Sequence, residues 1–321
     1  MRISEVKTIL PAYIAAKIPV MLWGPPGVGK SDLVHSMGLL VIDLRLSQLD
    51  AVDLRGLPRV ENGQTTWCPP DFLPTTGEGI LFLDELNQAD RSVQAAAYQL
   101  ILDRKVGNYK LPPGWTILAA GNRLSDAALA NPLSSALKNR MAHIEVETTL
   151  EDWVEWAMRH DIHEAIVAFL KFRPELLNTF DPTKREVSSF ATPRSWTFLS
   201  RLLTTSPHAS PYPLVVSTVG EAVATEFTAY LAIYKDLLTY EEIVENPDRT
   251  PPTELATLYA ITTMLAYRIK REDFPKVYRF LLRLPVEFQT AFFKDAVKKN
   301  PELLMTPEFT EWSKNNAEML F

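Results

Sequence analysis

The chain is 321 residues long and 46% hydrophobic, enough to bury one large core and one smaller core, so length points to two domains. Its 33 basic and 39 acidic residues leave a net charge of −6, which supplies no general attraction to a polyanion, and a nucleic-acid partner is not expected. The lone Cys68 excludes an intrachain disulfide and a cysteine-based zinc site; with no apolar run near ~18 residues and no signal-peptide core at Met1–Glu5, a soluble, cytoplasmic protein without membrane insertion is expected.

In chain order, Ser4 is expected to cap a first helix carrying Val6, Ile9, Leu10, Tyr13 and Ile14 at helical spacing. A buried-type strand follows at residues 19–23. Next comes Gly24-Pro25-Pro26-Gly27-Val28-Gly29-Lys30-Ser31, a full G-x-x-x-x-G-K-[ST] phosphate loop, then a short helix from Ser31 and Asp32 that Gly38 can end. Four fixed positions recur by chance in roughly 1% of chains of this length, and the strand before and helix after make the match more specific. Further strands are predicted at residues 39–46, at Ile80–Leu83 ending in Asp84-Glu85, at Trp115–Ala120 ending in Gly121-Asn122, and at Ala142–Val146, with a helix over Asp90–Asp103. The alternation indicates an α/β fold: a mainly parallel five-stranded sheet with helices on both faces, binding ligands at the carboxyl ends of its strands.

Two hairpins interrupt this pattern, one turning at Asn62-Gly63 and one at Gly107-Asn108; either is a plain surface turn or a projection toward a partner. Asn131-Pro132 reads as the cap and first-turn proline of a helix reaching Arg140, and Thr192-Pro193 as the start of another whose first turn carries Arg194. Strand signals stop near Thr149. We expect an α/β nucleotide-binding domain at residues 1–148, a helical lid at 149–205 and a helical extension at 206–321, with breaker-rich loops at 206–213 and 246–252.

The loop's chemistry follows from its residues. Backbone N–H groups and a helix start point at the phosphates, and glycines permit close approach. Lys30 reaches the β and γ phosphates, Ser31 offers its hydroxyl to Mg²⁺, Asp84 is the second magnesium-positioning carboxylate, and Glu85 polarises an attacking water. Asn122 is placed to hold that water or the γ-phosphate. Arg194, in a helix's first turn where a cation is electrostatically disfavoured, invites an anionic partner. His160 and His163 have helix-face metal spacing but read better as solvated histidines.

Together these residues resemble an AAA+ ATPase, most closely the MoxR-type branch. Gly24 to Ser31 is similar to Walker A, Leu81 to Glu85 to Walker B, Asn122 to sensor 1, Arg140 to the arginine finger, and Arg194 in Thr-Pro-Arg-Ser-Trp to sensor 2. The Asn62-Gly63 hairpin falls where the branch carries its helix-2 insert. The segment after Lys30 is shorter than the family's helix, and Arg123 follows Asn122 where a proline is usual, which leaves open whether a second basic group joins the nucleotide site.

What the resemblance implies is ATP and Mg²⁺ as cofactors, with Glu85, Arg140, Asn122 and Lys30 in catalysis. Gly24 through Asp32 and Arg194 would bind the nucleotide; Ser31 and Asp84 would hold the metal. It also implies a homo-oligomer, a hexameric ring that remodels a client protein, with von Willebrand factor A domain proteins as expected partners. The rival readings are a nucleic-acid loader or motor, disfavoured by net acidity, and a non-catalytic nucleotide-dependent scaffold, disfavoured by Asp84-Glu85.

Overall fold

Alternation along each buried strand sorts its side chains onto two faces, and that pattern builds the first half of the molecule. The computed structural model describes residues 1–126, 131–184 and 188–319. In chain order the first half contains α1 (Ile3–Ala15), β1 (Val20–Trp23), α2 (Lys30–His35), β2 (Val41–Arg45), α3 (Ala51–Arg55), β3 (Leu57–Glu61), β4 (Gln64–Cys68) and β5 (Glu78–Asp84). It continues through α4 (Arg91–Asp103), β6 (Lys105–Val106), β7 (Tyr109–Lys110), β8 (Gly114–Gly121), α5 (Ser135–Lys138) and β9 (Ala142–Glu145).

Five strands form one all-parallel sheet in the order β2-β5-β8-β1-β9. On one face Val20, Leu22, Ile80, Phe82, Leu118 and Ala120 join Val6 and Leu10 of α1 and Leu33 of α2. On the other, Met21, Leu81, Leu83, Ile117 and Ala119 join Val93, Ala97 and Leu100 of α4. All of these side chains are excluded from water, a gain of about 1.5–3 kcal/mol relative to exposure for each valine, leucine, isoleucine, phenylalanine or methionine.

Both hairpins form. In β3–β4, Asn62 (φ 52°) and Gly63 (φ 75°) take the left-handed conformation that a two-residue hairpin turn needs. The β6–β7 turn is anchored, since Tyr109 donates its hydroxyl to Pro74 O at 2.7 Å and burial pushes that phenol up to about 12. A Cβ on Gly107 would stand 3.1 Å from Arg55 O and 3.5 Å from Trp67, so this turn packs against the other hairpin.

The second half is all helical: α6 (Leu150–Arg159), α7 (Glu164–Phe172), α8 (Pro193–Thr205), α9 (Pro211–Val219), α10 (Glu221–Lys235), α11 (Tyr240–Glu245), α12 (Leu255–Arg268), α13 (Phe274–Leu281), α14 (Val286–Lys299) and α15 (Pro307–Asn315). The chain divides into two compact units, Met1–Thr149 with a short later stretch beginning at Asp181, and the helical remainder. The stretches expected as separate lid and extension share one core. Phe169 of α7 packs 5.9 Å from Trp196 of α8, 5.0 Å from Phe227 and 5.3 Å from Tyr230 of α10. No helix among the described residues is long and apolar enough to cross a membrane.

Several boundaries differ from those the sequence predicts. The first helix starts at Ile3, ahead of the expected Ser4 cap, because Glu5 Oε2 reaches back to accept from Arg2 N at 2.9 Å. Helix α5 starts at Ser135, since Ser134 Oγ accepts from Leu137 N while the expected cap, Asn131, is held elsewhere. Helix α9 begins inside the expected 206–213 loop, with Pro211 in its first turn. The short helix after Lys30 is genuine, six residues long.

Candidate nucleotide site

The carboxyl ends of β1, β5 and β8 lie side by side and deliver three chain segments to one place. Gly24, directly after β1, has no room for a side chain, because a Cβ there would meet Val146 O at 2.9 Å and Val28 at 3.3 Å. Gly27 (φ 78°) and Gly29 (φ 95°) adopt the left-handed conformation that curls the loop. Helix α2 is short, so its dipole adds little, and the loop amides together with Lys30 dominate the attraction for an anion.

Lys30 is buried, only 9% exposed. Its Nζ donates to Gly24 O at 2.7 Å, Pro25 O at 3.0 Å and Asn122 Oδ1 at 3.1 Å, so the ammonium sits across the mouth of the loop. Ser31 donates its hydroxyl to Asp84 Oδ2 at 3.0 Å, while Asp84 Oδ1 accepts from Glu85 N at 2.9 Å. Close by, burial and then the charge of Asp84 hold the Asp43 carboxyl above its ordinary range, against the hydrogen bond from His35.

Glu85 follows in the left-handed conformation (φ 57°), a strained choice for glutamate that turns the chain sharply out of β5. Its Oε2 accepts from Ser47 Oγ, in the loop after β2. Asn87, 1% exposed, donates its amide Nδ2 to Asn122 O at 2.7 Å, and its main-chain oxygen accepts from Asn131 N at 2.7 Å. Sequence reasoning missed both residues. Ser47 carries no local signal, whereas an amide two positions after an acidic pair on a buried strand is a weak one.

The structure thus brings together Lys30, Ser31, Asp84, Glu85 and Asn122. Asp32 lies in the first turn of α2. Arg123, whose part in the nucleotide site the sequence leaves open, is committed to carboxylates: hydrogen bonds to Asp126 raise its guanidinium above the ordinary value, and Glu145 lies 3.8 Å away. Arg140 is exposed in the turn after α5, away from this cluster's hydrogen bonds, and Arg194 belongs to the second unit, where Thr192 Oγ1 caps α8 by accepting from Ser195 N at 3.1 Å. His163 caps α7 by accepting from Ala165 N at 3.3 Å, and His160 bonds Trp156 O at 2.8 Å. No cluster of three or more metal-ligating side chains occurs among the described residues.

A triphosphate with a hard divalent cation fits these residues. The loop turns at glycines with positive φ, the Lys30 ammonium lies against its carbonyls, and a hydroxyl faces a carboxylate beside it; Mg²⁺ is commonly held by one or two protein oxygens and the phosphates themselves. Residues 19–141 match the AAA domain family, dynein-related subfamily. The chain carries an AAA+ domain. Its sequence is 30% identical over 155 residues to midasin of Giardia intestinalis, covering 44% of this chain and 3% of that protein. Over 127 residues it is 28% identical to protein NorQ of Paracoccus denitrificans, covering 36% of this chain and 47% of that one. Thus the chain spans about half of NorQ and a small fraction of midasin. A RuvB mutant from Thermotoga maritima is similar in structure at a TM-score of 0.40 and 19% identity, covering 87% of each chain. The matched span, residues 19–141, encloses Lys30, Ser31, Asp84, Glu85 and Asn122.

Proposed function

We propose that this chain is a MoxR-type AAA+ ATPase that hydrolyses Mg²⁺-ATP between the subunits of a ring and uses the cycle to remodel a client protein. The observation that carries the reading is the single cluster in which buried Lys30, the Ser31–Asp84 pair and Glu85 converge at the strand ends. Mg²⁺ neutralises phosphate charge when bound, with Ser31 and Asp84 as its protein oxygens. Lys30 holds the phosphates, Glu85 accepts the proton of the attacking water, and Asn122 orients that water.

Arg140, exposed and outside the cluster, is assigned to the neighbouring subunit's nucleotide, which makes assembly a condition of turnover. Arg194 is assigned to couple the helical unit to the nucleotide. A protein bearing a von Willebrand factor A domain is the client class to examine first. Turnover measured beside size, with and without Mg²⁺-ATP, tests the reading. ATP hydrolysis accompanied by ATP-dependent assembly supports it; full turnover by a monomer, or no affinity for the nucleotide, contradicts it.

A further inference from the structure

We infer that Asn87 is a positioning residue that fixes Asn122 against Lys30, an inference that stands on the ATP-hydrolysis reading. Its side chain is almost wholly enclosed, yet only half of the amide is used. Nδ2 donates to Asn122 O, while Oδ1 has no hydrogen-bond partner among the described residues. An enclosed, unpaired acceptor disfavours the fold, so an apolar residue of similar shape would serve packing better. What an apolar residue lacks is the donor, and that donor grips the main chain of the residue whose side chain meets Lys30 Nζ at 3.1 Å.

The surroundings leave the amide one orientation. A Cβ on Gly121 would stand 2.2 Å from Asn87 Oδ1, so the absence of a side chain at Gly121 makes room for it. The opposite flip would set oxygen against Asn122 O. The main chain on either side is tied as well, with Leu86 N donating to Ala120 O at 3.0 Å and Asn131 N donating to Asn87 O. Asn87 therefore joins the turn that carries Glu85 to the end of β8 that carries Asn122, and it does so without touching the phosphates. Displacing Asn122 along β8 would move the acceptor of Lys30 and the group that orients water, and a shift of about 1 Å in such a group costs on the order of 100-fold in rate.

The test is a double-mutant cycle on kcat with Mg²⁺-ATP, run beside the affinity for a fluorescent ATP analogue, the melting midpoint, and hydrogen exchange of residues 121–126 in nucleotide-free protein. Asn87→Ala should lower kcat by about 10- to 100-fold. It should leave analogue affinity and melting near wild type and speed exchange at residues 121–126. Because Asn87 acts through Asn122, the Asn87→Ala/Asn122→Ala double variant should be no slower than Asn122→Ala alone. Gly121→Ala, which crowds the amide, should reproduce the Asn87→Ala loss. If Asn87→Ala does not fold, Asn87→Leu keeps the shape without the donor and takes its place. Losses that multiply in the double variant, or unchanged exchange, overturn the role of Asn87 while leaving the ATPase reading standing; a wild-type chain that hydrolyses no ATP overturns both.

Discussion

Ser47 and Lys30 show how much of the site depends on single side chains. The Ser47 hydroxyl donates to Glu85 Oε2 and so holds that carboxylate in place. Ser47→Ala, which frees that carboxylate, is expected to lower kcat by about two- to tenfold at unchanged ATP affinity, within what one charge-assisted hydrogen bond can supply; steady-state kinetics will show it, and an unchanged kcat would remove Ser47 from the positioning of Glu85. Lys30→Ala should abolish nucleotide binding, since it removes the ammonium held across the loop, whereas Glu85→Gln should bind ATP and fail to turn it over. Titration with a fluorescent ATP analogue separates the two.

The phosphate loop, Asp84-Glu85 and Asn122 were legible in the sequence because each ends an apolar strand and their residue types recur at fixed spacing. Ser47 and Asn87 were not, because their partners lie 38 and 35 residues away and only the sheet order makes them neighbours. The role of Arg123 stays open in the sequence for the same reason: Asp126 and Glu145 claim its guanidinium, and Glu145 becomes adjacent only when β9 pairs with β1.

Helix boundaries follow which cap wins a local competition. Thr192 caps α8 as the Thr-Pro pair announced, but α5 is capped by Ser134 Oγ three residues after Asn131, whose amide instead donates to Ala89 O. In α7 the cap is a histidine, and burial, aided by Arg268 and opposed by Glu164, holds the His163 pKa below its ordinary 6.5. The neutral ring is the form that accepts from Ala165 N. A depressed folded-state pKa gives stability that is present above the unfolded value of about 6.5 and lost as pH falls through the folded value. The helical unit should therefore lose melting temperature between about pH 7 and pH 5. His163→Asn, a cap that does not titrate, should lose less over the same interval; equal losses in both proteins would remove this histidine from the pH response.

Between α7 and α14 no local pattern announces the ion pair from Lys171 to Asp295, whose side chains are 12% and 10% exposed. Lys171→Met leaves a buried carboxylate unpaired and is expected to cost the helical unit about 3–5 kcal/mol by chemical denaturation. Lys171→Met/Asp295→Leu should recover most of that loss. If both variants are equally unstable, the pair's charge is not the cause.

At the scale of the whole molecule, the α/β fold and the helical second half were readable from the change in apolar period near residue 149. The packing of that second half was not, since amphipathic stripes show which face is buried and not against what. Phe169 and Trp196 meet Phe227 across some thirty or more residues of chain, and no local pattern records such a meeting. The central claim, a phosphate loop completed by an adjoining subunit, predicts that each active site draws Glu85 from one chain and Arg140 from another. Arginine fingers contribute about 10³- to 10⁵-fold in rate, so Arg140→Ala and Glu85→Gln should each be inactive alone. Mixing the two purified variants and measuring ATP turnover tests the claim directly: the mixture should regain activity, because a Glu85→Gln chain supplies its arginine to the intact glutamate of its neighbour. A mixture that stays silent while the wild type turns over, or an Arg140→Ala protein that is active by itself, would contradict it.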